Sequence, residues 1–160
     1  MPINFKLEKY RQNTNVFIET GSLRGYSINK ALEAGYNKIY SIELDEKRYK
    51  WVKDEFEDDD EIEIIHGNSN TEFSELMDNI DEKCTIYLDA HYCGDNAEIG
   101  DKWSPIREEL NCLKKHFIKD HVIIIGDWKC HNNTHVDEKT GLETGYMGEE
   151  NTKKKNKKNL

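Results

Sequence analysis

Between Asn15 and Asp127 the chain alternates short runs of β-branched and aromatic residues with segments whose apolar positions recur at helical spacing. Five runs read as strands: Val16–Glu19, Lys38–Ile42, Ile62–His66, Thr85–Leu88 and Val122–Ile125. Between them lie four amphipathic stripes. These are Ile28, Ala31 and Leu32; Tyr49, Val52 and Phe56; Phe73, Leu76, Met77 and Ile80; and Ile106, Leu110, Leu113 and Phe117. Ser104 is placed to cap the last helix, with Pro105 at its first position, where a missing N–H costs nothing. Strands and single-stripe helices in alternation predict an open, mostly parallel α/β sheet built on right-handed crossovers, with ligands at the carboxyl ends of the strands.

Past Cys130 the pattern stops, and no strand is predicted. Residues 1–130 read as one domain and 131–160 as a polar, disordered tail closing on Lys153-Lys154-Lys155-Asn156-Lys157-Lys158. If the sheet ends there, its fifth strand is an open edge, and dimerisation through that edge is one expectation.

The charge narrows the partners. Of nine net negative charges, the tail contributes +1 and residues 1–130 carry −10, which disfavours nucleic-acid backbones. The longest uninterrupted apolar run, Val122–Ile125, is far short of the roughly 18 residues of a membrane span, so a cytoplasmic protein is expected. The cysteines form no CxxC pair, which favours reduced thiols. Cys130, His131 and His135, with Cys93 and His91, have spacings that give little support to a zinc site.

The most informative stretch follows the first strand: Glu19-Thr20-Gly21-Ser22-Leu23-Arg24-Gly25-Tyr26-Ser27. Gly21 lets backbone approach a ligand, Gly25 permits a tight turn into the helix, and Ser27 offers a hydroxyl beside exposed N–H groups. Glu43 ends the second strand, 18 residues after Gly25, where a carboxylate can accept the hydroxyl protons of a ribose. A dinucleotide site would want glycine at 23, and leucine stands there. Glu19, two residues before the first glycine, suits a cationic ligand such as a sulfonium nucleoside.

Glu19-x-Gly21-x-x-x-Gly25-Tyr26-Ser27, then Ile42-Glu43, Gly67-Asn68-Ser69 and Leu88-Asp89-Ala90-His91, resembles the class I S-adenosylmethionine-dependent methyltransferases over about residues 15–130. Within them it is most similar to catechol-type O-methyltransferases and to small sugar-modifying relatives of glycan gene clusters and large DNA viruses. The resemblance implies a Rossmann-like fold, normally with two further strands that residues 131–160 do not supply. It implies that Glu19, Gly21 and Ser27 hold the methionine portion, Ser27 near its carboxylate, and that Thr20, Ser22 and Gly25 also line the cofactor site. Glu43 would take the ribose, Asn68 and Ser69 would border the adenine, and Asp89 would face the reacting methyl group. In catechol-type enzymes matching acids bind Mg²⁺ or Mn²⁺, which makes Asp89 and Asp127 the metal candidates, although Trp128 replaces the amide-bearing third ligand.

His91 is the general-base candidate, because imidazole accepts a proton near neutral pH, with Asp89 and Tyr92 in reserve. The expected activity is methyl transfer to a hydroxyl of a sugar or other small acceptor, with Trp103 a candidate for stacking on a sugar. A catalytically inactive fold that binds the cofactor or a protein partner, and a dinucleotide oxidoreductase, are the competing readings.

Overall fold

The structure is a computed structural model that describes residues 5–91 and 104–126, together with the backbone of two short strands, His135–Val136 and Glu143–Thr144. The chain divides after Gly126 into two units. In the first, five strands, β1 (Val16–Thr20), β2 (Lys38–Glu43), β3 (Ile62–His66), β4 (Cys84–Leu88) and β5 (Val122–Ile125), form an all-parallel sheet in the order β3-β2-β1-β4-β5. Four helices connect them: α1 (Tyr26–Glu33), α2 (Glu46–Glu55), α3 (Ser69–Met77) and α4 (Ile106–Lys115). This is the open Rossmann-like α/β fold expected from the alternating pattern, and the predicted strands lie within one residue of those observed.

Burial separates centre from edge. Every residue of β1 and β4 is buried, whereas β3 and β5 are only half covered, as required of central and outer strands in a sheet with helices on both faces. One core joins Phe17, Ile39 and Tyr87 to Ile28 and Ala31 of α1 and Val52 of α2. The other joins Ile18, Ile42, Ile86 and Leu88 to Phe73 and Met77 of α3 and Leu113 of α4. Alternation along each strand places these two sets on opposite faces.

The fourth helix departs from the sequence reading in two ways. Its cap residue is Pro105, and Ser104 reaches only the Ile106 N–H, at 3.4 Å. Its buried face also runs through Pro105, Glu109, Leu113 and His116, one residue out of phase with the stripe Ile106, Leu110, Leu113 and Phe117. Phe117 lies beyond the helix end and is 69% exposed. The inward turn of Glu109 sets this phase, and its polar surroundings are described below.

At the opposite end of the sheet from the strand carboxyl ends, two histidines make a fixed chain of hydrogen bonds. The Cys84 N–H donates to His121 Nδ1 (3.1 Å), so His121 carries its proton on Nε2 and donates it to His116 Nδ1 (2.9 Å). His116 then donates from Nε2 to the carbonyls of Met77 and Ile80, both at 3.1 Å. Both rings must be neutral for this chain to exist. Burial, with His116 and Lys83 close by, lowers the His121 pKa against the opposing pull of Asp120. A His121→Ala protein is expected to lose about 2 kcal/mol of stability at neutral pH, through the orphaned Cys84 N–H. The gap to wild type should narrow as pH falls below about 6.5, where unfolded imidazole gains protons that the native ring resists. Urea denaturation at several pH values measures both, and a pH-independent difference would refute the neutral pair.

In the second unit, the strands His135–Val136 and Glu143–Thr144 pair antiparallel, where hydropathy alone offered no strand. Cross-strand hydrogen bonding in so short a ladder needs no apolar run to announce it. Among the described residues no helix is long and apolar enough to cross a membrane.

Candidate functional site

The sheet reverses its winding between β1 and β4: β2 and β3 extend to one side of β1, β4 and β5 to the other. In a doubly wound sheet the crevice at such a reversal is where ligands bind. The residues singled out in the sequence converge on it from the carboxyl ends of β1, β2 and β4.

Glu19 sits at 0% exposure near the end of β1. Its Oε1 accepts from Ser41 Oγ (2.6 Å) and its Oε2 from Ser27 Oγ, while Ser22 Oγ lies 2.6 Å from Ser41 Oγ. Ser27 therefore donates to Glu19, and is not turned toward a ligand carboxylate. With hydroxyls as its partners among the described residues, the Glu19 carboxyl is pushed up to about 7 by burial, and Asp89 and Glu43 push the same way.

Gly21 leaves the strand at φ +91 and donates its N–H to the Ile42 carbonyl (2.8 Å). A Cβ there would stand 3.0 Å from the Asp89 carbonyl oxygen, so the absence of a side chain brings the first turn against the end of β4. Gly25, at φ +68, caps α1, and a Cβ on it would press into the Phe56 ring. Between them Leu23 takes φ 50, and its N–H donates to Glu43 Oε2 (2.9 Å). Glu43 Oε1 accepts from the Asp45 N–H (3.0 Å), so the carboxylate bridges the first turn and the end of β2 at 5% exposure. Burial raises its pKa, against those two backbone hydrogen bonds and Arg48.

Thr20 Oγ1 accepts from the N–H groups of Asp89 (3.3 Å) and Ala90 (3.4 Å), tying β1 to the end of β4. Tyr87 donates its hydroxyl to Asp89 Oδ2 (3.0 Å), and His91 Nδ1 lies 3.4 Å from Asp89 Oδ1. A carboxylate on the Nδ1 side favours the tautomer with the proton on that nitrogen and leaves Nε2 as the acceptor. Asn68 caps α3 by accepting from the Asn70 N–H (3.0 Å), and Ser69 is buried just inside it.

Glu109 carries no hydropathy signal in the sequence. From α4 it reaches the same region at 2% exposure. Burial, with Glu108 and Asp89 adding to it, raises its pKa to about 7, while the Ser69 and Thr20 hydroxyls pull it down. Four carboxyls, Glu19, Glu43, Asp89 and Glu109, thus surround the crevice and favour a cation there. Tyr87 and Ser41 are likewise silent in the sequence, because strand periodicity marks them only as core.

Asp127, Tyr92, Cys93, Trp103, Trp128, Cys130 and His131 lie outside the described residues. Among those described, no three His, Cys, Asp or Glu side chains form a group able to hold a metal ion. Asp89 and His91 alone do not make the oxygen-rich donor set that Mg²⁺ or Mn²⁺ requires.

No family model and no curated protein sequence matches the chain. Solved structures do. One is the Podospora anserina methyltransferase PaMTH1 bound to SAH: 15% identity, TM-score 0.53, with 70% of this chain and 45% of that one aligned. Another is the yhhF protein of Escherichia coli, provisionally named a methyltransferase: 12% identity, TM-score 0.51, with 74% of this chain and 64% of that one aligned. At such identities the likeness is one of fold. The chain spans 45% of the length of the first protein and 64% of the second.

Proposed function

We propose that this domain is a methyltransferase of class I type. It would bind S-adenosylmethionine across the ends of β1, β2 and β4 and pass its methyl group to a hydroxyl, on a sugar or another small acceptor. The observation that carries the reading is the pairing of a hydroxyl-ringed, buried Glu19 under a glycine turn with a Glu43 fixed at the end of β2. The fold shared with SAH-bound PaMTH1 supports it.

S-adenosylmethionine supplies an electrophilic methyl group on a positively charged sulfur. The acids around the crevice favour that charge, and Glu43, already oriented by two backbone donors, presents its remaining acceptor capacity to the ribose hydroxyls. His91 Nε2 would take the acceptor's proton, with Asp89 stabilising the imidazolium that forms. As the new oxygen–carbon bond forms, the carbon–sulfur bond breaks and the sulfur departs neutral, so no acid is needed. Orientation is the larger contribution, as in-line displacement requires. No step here is routed through a metal.

The dinucleotide reading is weaker on a specific ground. The Leu23 N–H stands where a pyrophosphate would need a backbone donor, and Glu43 already occupies it.

Calorimetric titration with S-adenosylmethionine and S-adenosylhomocysteine, with NADH as control, tests the proposal; silence from both sulfur nucleosides in folded protein would overturn it. Glu43→Ala is expected to weaken S-adenosylhomocysteine binding by about tenfold, near 1.4 kcal/mol. Unchanged affinity would remove Glu43 from the site.

A further inference from the structure

A groove of about 520 Å³ runs between α3 and α4, on the helical face of the sheet. Its walls join two kinds of surface. Phe73, Met77 and the exposed Phe117 supply apolar area, and among the described lining residues Glu109, Glu108 and Asp78 stand against one cation, Lys115. Two buried acceptor oxygens of lining residues have no hydrogen-bond partner among the described residues: Glu109 Oε1 and Asn70 Oδ1. Buried acceptors without donors are uncommon, because each forfeits its hydration without compensation. His116, at the lower end, cannot serve them, since both its nitrogens are already engaged with Met77, Ile80 and His121.

From this juxtaposition we infer that the α3–α4 groove is a binding site for a small, flat cation bearing N–H donors, such as an amidinium or a protonated heteroaromatic amine. Its donors pair with Glu109 Oε1 and Asn70 Oδ1, and its ring lies against Phe73 and Met77. Both oxygens are shielded from bulk water, so the ligand parts the side chains at the mouth to reach them. The volume suits one ring system with a short substituent. A cation beside Glu109 favours its ionised form, so binding near neutral pH releases a proton from this carboxyl to the buffer. The inference does not require methyl transfer, although Glu109 is shared with the acids placed around the crevice, and competition with S-adenosylhomocysteine tells the two sites apart.

Benzamidine is the probe, with benzoate as the anionic control of the same shape. Titrated into the isotopically labelled full chain, benzamidine is expected to give saturable amide shifts at Asn70, Glu109 and Cys112, and benzoate none. Calorimetry in buffers of different ionisation enthalpy should show proton release that Glu109→Gln abolishes, with affinity at least tenfold lower. Ser74→Trp, at an exposed position on the groove wall, blocks the mouth without touching a buried polar group, and should abolish binding even if Glu109→Gln fails to fold. Absence of saturable shifts in folded wild type, shifts that survive Ser74→Trp, or displacement of benzamidine by S-adenosylhomocysteine would each overturn the proposal. The last result would place the probe at the strand ends.

Discussion

A Gly21→Ala protein is expected to lose at least a hundredfold in affinity for S-adenosylhomocysteine and about 2 kcal/mol of stability. Two effects combine. Alanine resists φ +91, and its Cβ would stand 3.0 Å from the Asp89 carbonyl oxygen, a backbone atom that can retreat only by moving the end of β4. That movement carries Asp89 and His91 with it and strains the Thr20 hydrogen bonds to Asp89 and Ala90. Gly35→Ala separates the two effects. Gly35 has a similar φ of +83, but a Cβ there meets only the end of the flexible Arg11 side chain. Gly35→Ala should therefore show the backbone penalty with affinity intact. Equal binding by both variants in calorimetry would mean that the first turn does not shape the ligand site.

The second large effect concerns pH. Glu19 and Glu109 are held near 7 by burial, against an ordinary value of 4.5. Between those values the native protein keeps protons that the unfolded chain has released, so stability falls as pH rises through this window and levels off above it. This is opposite in sign to an acid held in a salt bridge. Each carboxyl contributes on the order of 3 kcal/mol across the window. Urea denaturation at about pH 5 and about pH 8 should show the decline, and Glu19→Gln and Glu109→Gln should each flatten it. Wild-type stability that climbs between those pH values, with no change in the glutamine variants, would show the two acids to be ionised in the fold. His121 acts in the opposite direction below about 6.5, which is why the variants rather than the wild-type curve isolate the acids.

The sheet was legible because its strands are dense in β-branched residues and bounded by polar ones. The order of the strands was not, since no local pattern encodes which neighbour β1 chooses. The positions of Glu19, Gly21 and Glu43 beside the crevice were legible because all three stand at strand ends, where ligands bind in this architecture. Glu109 was hidden in Arg107-Glu108-Glu109, a run that reads as a solvated face. The signal was nonetheless present: Glu109 lies four residues before Leu113, on the side of the helix that Leu113 buries. Hydrophobicity alone chose the neighbouring stripe, because it assigns no value to two hydroxyls, Ser69 and Thr20, that reach a carboxyl from other elements. Ser27 poses a related difficulty. A serine at a helix start offers a hydroxyl to a ligand or to the protein, and only the position of Glu19 decides between them.

The pairing of Val16 with Cys84 and Thr20 with Leu88 also orders events in time. Strands β1, β2 and β3 with their helices can assemble as soon as residues 16–66 are made, because each pairs with its nearest neighbour in sequence. The crevice cannot. It exists only once β4 crosses back to the far side of β1, closing a loop of more than sixty residues, and such long-range closure is slow. A ribosome-bound chain that stops short of Asp89 would thus be folded in part yet blind to its ligand. During refolding, ligand-induced signals should lag behind the appearance of helix.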